Sequence, residues 1–312
     1  MSQVAKRASL LETDRRPAFF YRSAREGVQD LLTGRGLTDP RGILLPAYIG
    51  WSAREGSGVF DPVQAVGMHA GFYGLHDDLS VDVEEMTALA RTGEFGILVV
   101  IHYFGRALVE MAEIRRICDS HGMLLVEDMA HAFFTSVVGR SAGIHGDVGV
   151  FSLHKMFPIP TGGMVTYAAG IPVRGATSTA PELANSIIDY DWAAIAERRR
   201  ANFLGLSSRL SSLPECGDAF NLIWPKLNLT DVPQTLPVYV SGDMRDAIYG
   251  TMNEQGFGMV SLYHTLIPEV RQDHPELVRL ARHIINFPCH QDVAESDLDE
   301  LVTAFRRALR QC

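Results

Sequence analysis

Short apolar runs alternate along this chain with stretches whose apolar positions recur every three or four residues. Residues 43–45 (ILL), 71–75 (GFYGL), 96–101 (GILVVI), 123–126 (MLLV), 148–152 (VGVFS) and 162–167 (GGMVTY) read as strands. They are nearly continuous in apolar character, the pattern of strands buried on both faces of a parallel sheet. Residues 108–120 put Met111, Ile114 and Ile117 on one helical face, and a helix opens at Ser23-Ala24-Arg25-Glu26 and runs to about Leu32. Ser23 is its expected N-cap, with Glu26 as capping-box partner. This alternation predicts an α/β fold, a three-layer αβα sandwich around a mostly parallel sheet. In such sheets ligands gather at the carboxyl ends of the strands.

Beyond about residue 169 the texture changes. Residues 170–181 are rich in Gly, Pro, Ser and Thr and read as a linker. A helix over 184–213, a strand over 235–240, a helix over 244–255, a strand over 258–262 and a closing helix over 295–310 follow. This predicts a small α+β C-terminal domain, with the chain divided as 1–180 and 181–312.

The formal net charge of −9 argues against a nucleic-acid partner, which needs a basic surface. The cluster Arg198, Arg199 and Arg200 reads as a solvated helix face. No stretch is apolar for the eighteen or so residues that span a bilayer, and the first twenty residues are too polar for a signal peptide. Cys118, Cys216, Cys289 and Cys312 are scattered without a CxxC pair, as expected of reduced thiols in the cytoplasm, with Cys312 exposed. His264, His283 and His290 are spaced too widely for a local metal site.

The segment LLVEDMAHAFF…GDVGVFSLHKMFPIPTGGMVT concentrates the candidate chemistry. Asp128 closes one apolar run, and Lys155 follows the next. A buried carboxylate and a single lysine on neighbouring strands suit pyridoxal 5'-phosphate: the amine holds the aldehyde as a Schiff base, and the acid keeps the pyridine nitrogen protonated. For Asp128 alone, a structural ion pair or helix cap is an equal reading. His131 either lies beside the cofactor ring or is a structural histidine. Ser152 and the amides of Ala24 and Arg25 at a helix start are the candidate phosphate ligands. Trp51 is the candidate for stacking on the ring, with plain packing as its alternative and Tyr48 as runner-up.

Together ILLPAYIGWS, FYGLHDDLSVDVEEM, VVIHYFG, LLVEDMAHA, GDVGVFSLHK…TGGMV and INFPCHQDVAESDLDELVTAFRR resemble the DegT/StrS-type family of fold type I pyridoxal phosphate enzymes, best known as nucleotide-sugar aminotransferases. The resemblance runs over nearly the whole chain. It implies Lys155 as the Schiff-base lysine, Asp128 at the pyridine nitrogen, His131 beside the cofactor, Ser152, Ala24 and Arg25 at the phosphate, Trp51 stacking, and a homodimer. Two departures stand out. The lysine follows the serine by three residues where the family has five, and the family's Asn/Arg-containing segment after Tyr167 is not recognisable. The expected reaction is ping-pong transfer of an amino group from an amino acid, glutamate first, to a keto sugar or related keto metabolite. The alternatives are another pyridoxal phosphate reaction (dehydration, racemisation or cleavage) and a non-catalytic partner subunit.

Overall fold

The computed structural model describes residues 16–36, 39–173 and 176–311; Cys312 lies outside them. In the first part β1 (Ala18–Tyr21), α1 (Ala24–Gly36), β2 (Gly42–Pro46), α2 (Asp61–Ala65), β3 (Ala70–Tyr73), α3 (Val83–Ala90), β4 (Phe95–Ile101), α4 (Met111–His121), β5 (Leu124–Asp128), α5 (Phe133–Val137), β6 (Val148–Ser152) and β7 (Gly163–Tyr167) follow one another. They build a seven-stranded sheet of order β1-β7-β6-β5-β4-β2-β3. The five strands β3, β2, β4, β5 and β6 are parallel. β7 and β1 close one edge antiparallel.

The continuous apolar runs are buried as their pattern requires: every residue of β2, β4 and β6 is buried. Val28, Leu31 and Leu32 of α1 lie over Ile43, Leu45, Val99, Val126 and Val150, with Asp128 on the same face. Because side chains alternate along a strand, Leu125 and Glu127 point to the other face. α4 packs behind β5 and ends at Gly122, whose φ of 59° reverses the chain.

The second part contains α6 (Leu183–Ile188), α7 (Trp192–Ser211), β8 (Phe220–Leu222), β9 (Thr235–Val240), α8 (Arg245–Glu254), α9 (Pro275–His283), β10 (Ile284–Pro288) and α10 (Glu295–Gln311). Its antiparallel sheet has the order β10-β9-β8. Phe203, Leu206 and Leu210 of α7 meet Phe220, Val238, Ile248, Phe287 and Phe305 in its core. The protein is thus a three-layer αβα sandwich with a small α+β C-terminal part, as the sequence predicts.

Three expectations need correction. The helix over 184–213 is broken, because the Asp191 carboxylate accepts from Ala194 N–H and starts α7 afresh. The strand over 258–262 shrinks to a bridge between Val260 and Asn286. The arginine cluster is not a solvated face. Arg199 is 2% exposed, its guanidinium donates to the carbonyl oxygens of Pro233, Gln234 and Met156 and to Gln291 Oε1, and it lies over the Phe134 ring.

Candidate active site

Asp128 is the last residue of β5, and Lys155 sits on a 3-10 turn, Leu153–Lys155, directly after β6. β5 and β6 are neighbours in register, with Asp128 opposite Val150. The topology therefore brings the carboxylate and the amine to one end of adjacent strands. Asp128 is buried. Its Oδ1 accepts from Ala130 N–H at 2.8 Å, the one hydrogen bond this carboxylate makes among the described residues. Burial pushes its pKa up, opposed by the Ala130 N–H and by the charge of Lys155.

The Lys155 Nζ lies 2.9 Å from His131 Nε2. On the other side of that ring, Nδ1 accepts from Phe104 N–H at 3.3 Å. A neutral imidazole whose Nδ1 is an acceptor carries its proton on Nε2. Lys155 can take that proton as a hydrogen bond only through a free lone pair, which means a neutral amine. Burial lowers the Lys155 pKa in the same sense, with Asp128 and Glu55 pulling the other way, and burial also lowers that of His131. A neutral amine is the form that attacks a carbonyl. His131 therefore bonds the lysine, not the acid. His154, next in sequence to Lys155, is exposed.

The helix start closes the far side. Ser23 Oγ accepts from Glu26 N–H, and Glu26 Oε2 accepts from Arg22 N–H, so the predicted cap is present with the acid reaching one residue further back. The Ala24 and Arg25 N–H groups have no protein acceptor among the described residues. Gly163 is the cross-strand partner of both Tyr21 and Ser152. A Cβ on Gly163 would stand 2.3 Å from Ala24 N, so only glycine lets the helix start approach the end of β6. Ser152, Ala24 and Arg25 thus meet around one residue. Ser152 is buried, with Oγ 3.3 Å from His154 Nδ1. The Arg25 side chain turns away to the Glu55 carbonyl oxygen and to Asp61.

Aromatic rings wall the remaining side. Tyr48, fully buried, meets Tyr103 and Tyr263 at ring-centre distances of 5.6 and 5.3 Å, and its hydroxyl has no partner among the described residues. Trp51 does not join that cluster. It is 38% exposed, and its backbone N–H donates to the Thr265 carbonyl oxygen.

The other face of β5 carries a buried pair that sequence reasoning missed. His102 Nε2 is 2.8 Å from Glu127 Oε2, and the N–H groups of Gly143, His145 and Gly146 also donate to Glu127. Burial alone would raise the Glu127 pKa; these donors hold it at about 2. Phe104, Gly163 and Tyr263 were missed as well. The glycine pair before β7 and a histidine closing β4 are the signals the sequence offers for Gly163 and His102.

Residues 57–172 match the family model of the DegT/DnrJ/EryC1/StrS aminotransferase family. A stretch of 91 residues is 35% identical to GDP-perosamine synthase of Vibrio cholerae, covering 28% of this chain and 24% of that protein. A second, also of 91 residues, is 34% identical to L-glutamine:scyllo-inosose aminotransferase of Streptomyces griseus, covering 28% and 21%. These matches span about a quarter of the relatives' length. The fold as a whole is that of Helicobacter pylori PseC, an aminotransferase involved in the biosynthesis of pseudoaminic acid, with a TM-score of 0.76 at 15% identity over 95% of this chain and 87% of that one. It is also that of the putative sugar aminotransferase Spr1654 from Streptococcus pneumoniae in its PLP-form, with a TM-score of 0.74 at 12% identity over 96% and 88%.

Proposed function

We propose that this chain, whose residues 57–172 match the DegT/DnrJ/EryC1/StrS aminotransferase family model, is a member of that family and a pyridoxal-phosphate-dependent aminotransferase. It moves an amino group from an amino acid, glutamate first, to a keto sugar or a related keto metabolite. The observation that carries this reading is the convergence of buried Asp128, which accepts only from Ala130 N–H, and Lys155, whose amine lies 2.9 Å from His131 Nε2, at the ends of adjacent strands.

The residues present fit the cofactor. The Asp128 carboxylate would receive a pyridinium N–H, the Ala24 and Arg25 amides, which lack a protein acceptor among the described residues, and Ser152 would hold a phosphate, and the Lys155 amine suits an aldehyde. When bound, the cofactor supplies that aldehyde and a ring that withdraws electrons from the substrate carbon. Asp128 would hold the ring nitrogen, and a protonated ring there would pair its buried charge. His131 donates from Nε2 to whichever group replaces the Lys155 lone pair. Lys155 Nζ would then serve as the group that takes a proton from the substrate carbon and returns it. Trp51 closes the outer face from the rim. The exposed direction of His154 supports transamination over chemistry in which a histidine takes the lysine's part.

No described helix is long and apolar enough to cross a membrane. We place the protein in the cytoplasm as a homodimer, with its two parts dividing near residue 180. Light scattering tests the dimer. Glutamate added to cofactor-loaded protein should convert the visible aldehyde band into the shorter-wavelength amine band, and a keto acceptor should restore it. An unchanged spectrum with every amino acid tried would rule out amino transfer.

A further inference from the structure

Two rings hold His131, and both sit on strained backbone. Phe104 lies parallel to the imidazole, 5.8 Å between ring centres and 9° between planes, while Tyr263 meets it edge-on at 5.5 Å and 74°. Their φ angles are 51° and 57°, in the left-handed region that bulky side chains rarely adopt. Such conformations are unfavourable and persist where the surroundings impose them. Phe104 follows β4 in the first part. Tyr263 comes from the second.

The way Tyr263 arrives is specific. Trp51 N–H donates to the Thr265 carbonyl oxygen and Ile267 N–H to that of Ile49, while Gly50 bridges Leu266. Residues 263–267 are thus zipped onto the loop after β2. Gly50 makes the room: a Cβ there would come within 2.9 Å of the Tyr263 ring. The ring enters among Tyr48, Tyr103 and Phe104.

We propose that Tyr263 is the positioning residue through which the C-terminal part fixes His131 and, through that imidazole, the Lys155 amine. The claim rests on the reading of Lys155 as the reacting amine and concerns what keeps it ready. Without the Tyr263 ring, the imidazole gains freedom to turn and water reaches the amine; both changes favour the ammonium form. The phenol hydroxyl has no part in this, because the contact with His131 is made by the ring.

The test uses the full chain without cofactor. The protein has only three lysines, Lys6, Lys155 and Lys226. Competitive acetylation with trace acetic anhydride, read peptide by peptide across pH, gives the titration midpoint of each. Lys226, exposed, is the internal control. The groups facing Lys155 are Asp128, His131, His154 and Glu55, and they are unchanged in every variant. Tyr263→Ala should raise the Lys155 midpoint by about one unit, leaving about tenfold less free amine at a given pH below it, with Lys226 unmoved. Tyr263→Phe should keep the wild-type midpoint. Gly50→Ala, which keeps the tyrosine but displaces its ring, should shift the midpoint in the same direction by less, and it decides the matter if Tyr263→Ala does not fold. An unmoved midpoint in the folded alanine variant, or an equal shift in Tyr263→Phe, would overturn the proposal. Cofactor capture is measured separately, so a chain that keeps this shift but takes up no aldehyde would refute the proposed function and leave the positioning role standing.

Discussion

Glu127 and Asp128 stand side by side on β5 and point to opposite faces of the sheet. Glu127 is fully buried and accepts hydrogen bonds from His102 and from the N–H groups of Gly143, His145 and Gly146. Asp128 is nearly as buried and accepts only from Ala130 N–H. The pKa directions are opposite: Glu127 is held at about 2, and Asp128 is pushed up. Buried polar groups are normally satisfied, and one left open needs a reason. The first acid is spent on pinning the loop over 143–146. The second makes a single hydrogen bond, and the proposed function gives its other oxygen to the cofactor.

The two histidines repeat the contrast. Each has its Nδ1 occupied by a backbone N–H, from Leu108 for His102 and from Phe104 for His131, so each presents Nε2–H. His102 donates that N–H to a carboxylate, and the result is a locked, charge-assisted hydrogen bond. His131 presents it to the Lys155 amine, and on the proposed reading the result is a nucleophile kept ready in its neutral form. One tautomer serves structure on one face and reactivity on the other.

The contrast can be broken from either side. Lys155→Ala should cost the most, roughly 10⁴-fold or more in turnover, because the proton carrier is lost with the attachment point; steady-state kinetics on the loaded enzyme reads it. The same position should show the opposite sign in stability. Lys155→Met removes an amine whose protonation burial disfavours, so the cofactor-free protein should melt higher than wild type. Asp128→Asn should lower turnover by about 10²–10⁴-fold while leaving the melting temperature unchanged or raised, since the folded state penalises that carboxylate.

Glu127→Gln should do the reverse, losing about 3 kcal/mol of stability in urea unfolding while molecules that remain folded keep turnover within about tenfold. The pH dependence follows from the sign of its shift. The Glu127 pKa is depressed on folding, so its contribution is complete above the ordinary carboxylate value near 4.5 and is lost as pH falls towards about 2. Acid unfolding of wild type should steepen across that window, and Glu127→Gln should lack the component. Trp51→Ala should have the smallest effect: about 1 kcal/mol of cofactor affinity and little change in stability, as suits a ring at the rim. An effect as large as that of Asp128→Asn would mean that Trp51, not the Tyr48–Tyr263 wall, forms the main face of the site.

The sheet and the convergence of Asp128 and Lys155 were legible because parallel strands buried on both faces read as unbroken apolar runs, and polar residues at their ends are then conspicuous. The meeting of Ala24, Arg25 and Ser152 needed the pairing of β1 and β6 with β7, and β1 is a four-residue edge strand with no pattern of its own. Glu127 was illegible since its partners lie far away at 102 and 143–146, and an acid beside Asp128 gives no hint of facing the other way. Tyr263 arrives from the C-terminal part through a segment that resembles a strand in sequence yet pairs only at Val260. Arg199 belongs to a run of three arginines, a pattern that signals solvent until packing buries its middle member.

The most direct test of the whole account is to mix the purified chain with pyridoxal 5'-phosphate, reduce it with borohydride and map the modified peptide. The chain offers only Lys6, Lys155 and Lys226. A single pyridoxyl adduct on Lys155, formed at near-equal concentrations of protein and cofactor, is the predicted result. An adduct spread evenly over the three lysines, or none at 155, would contradict it.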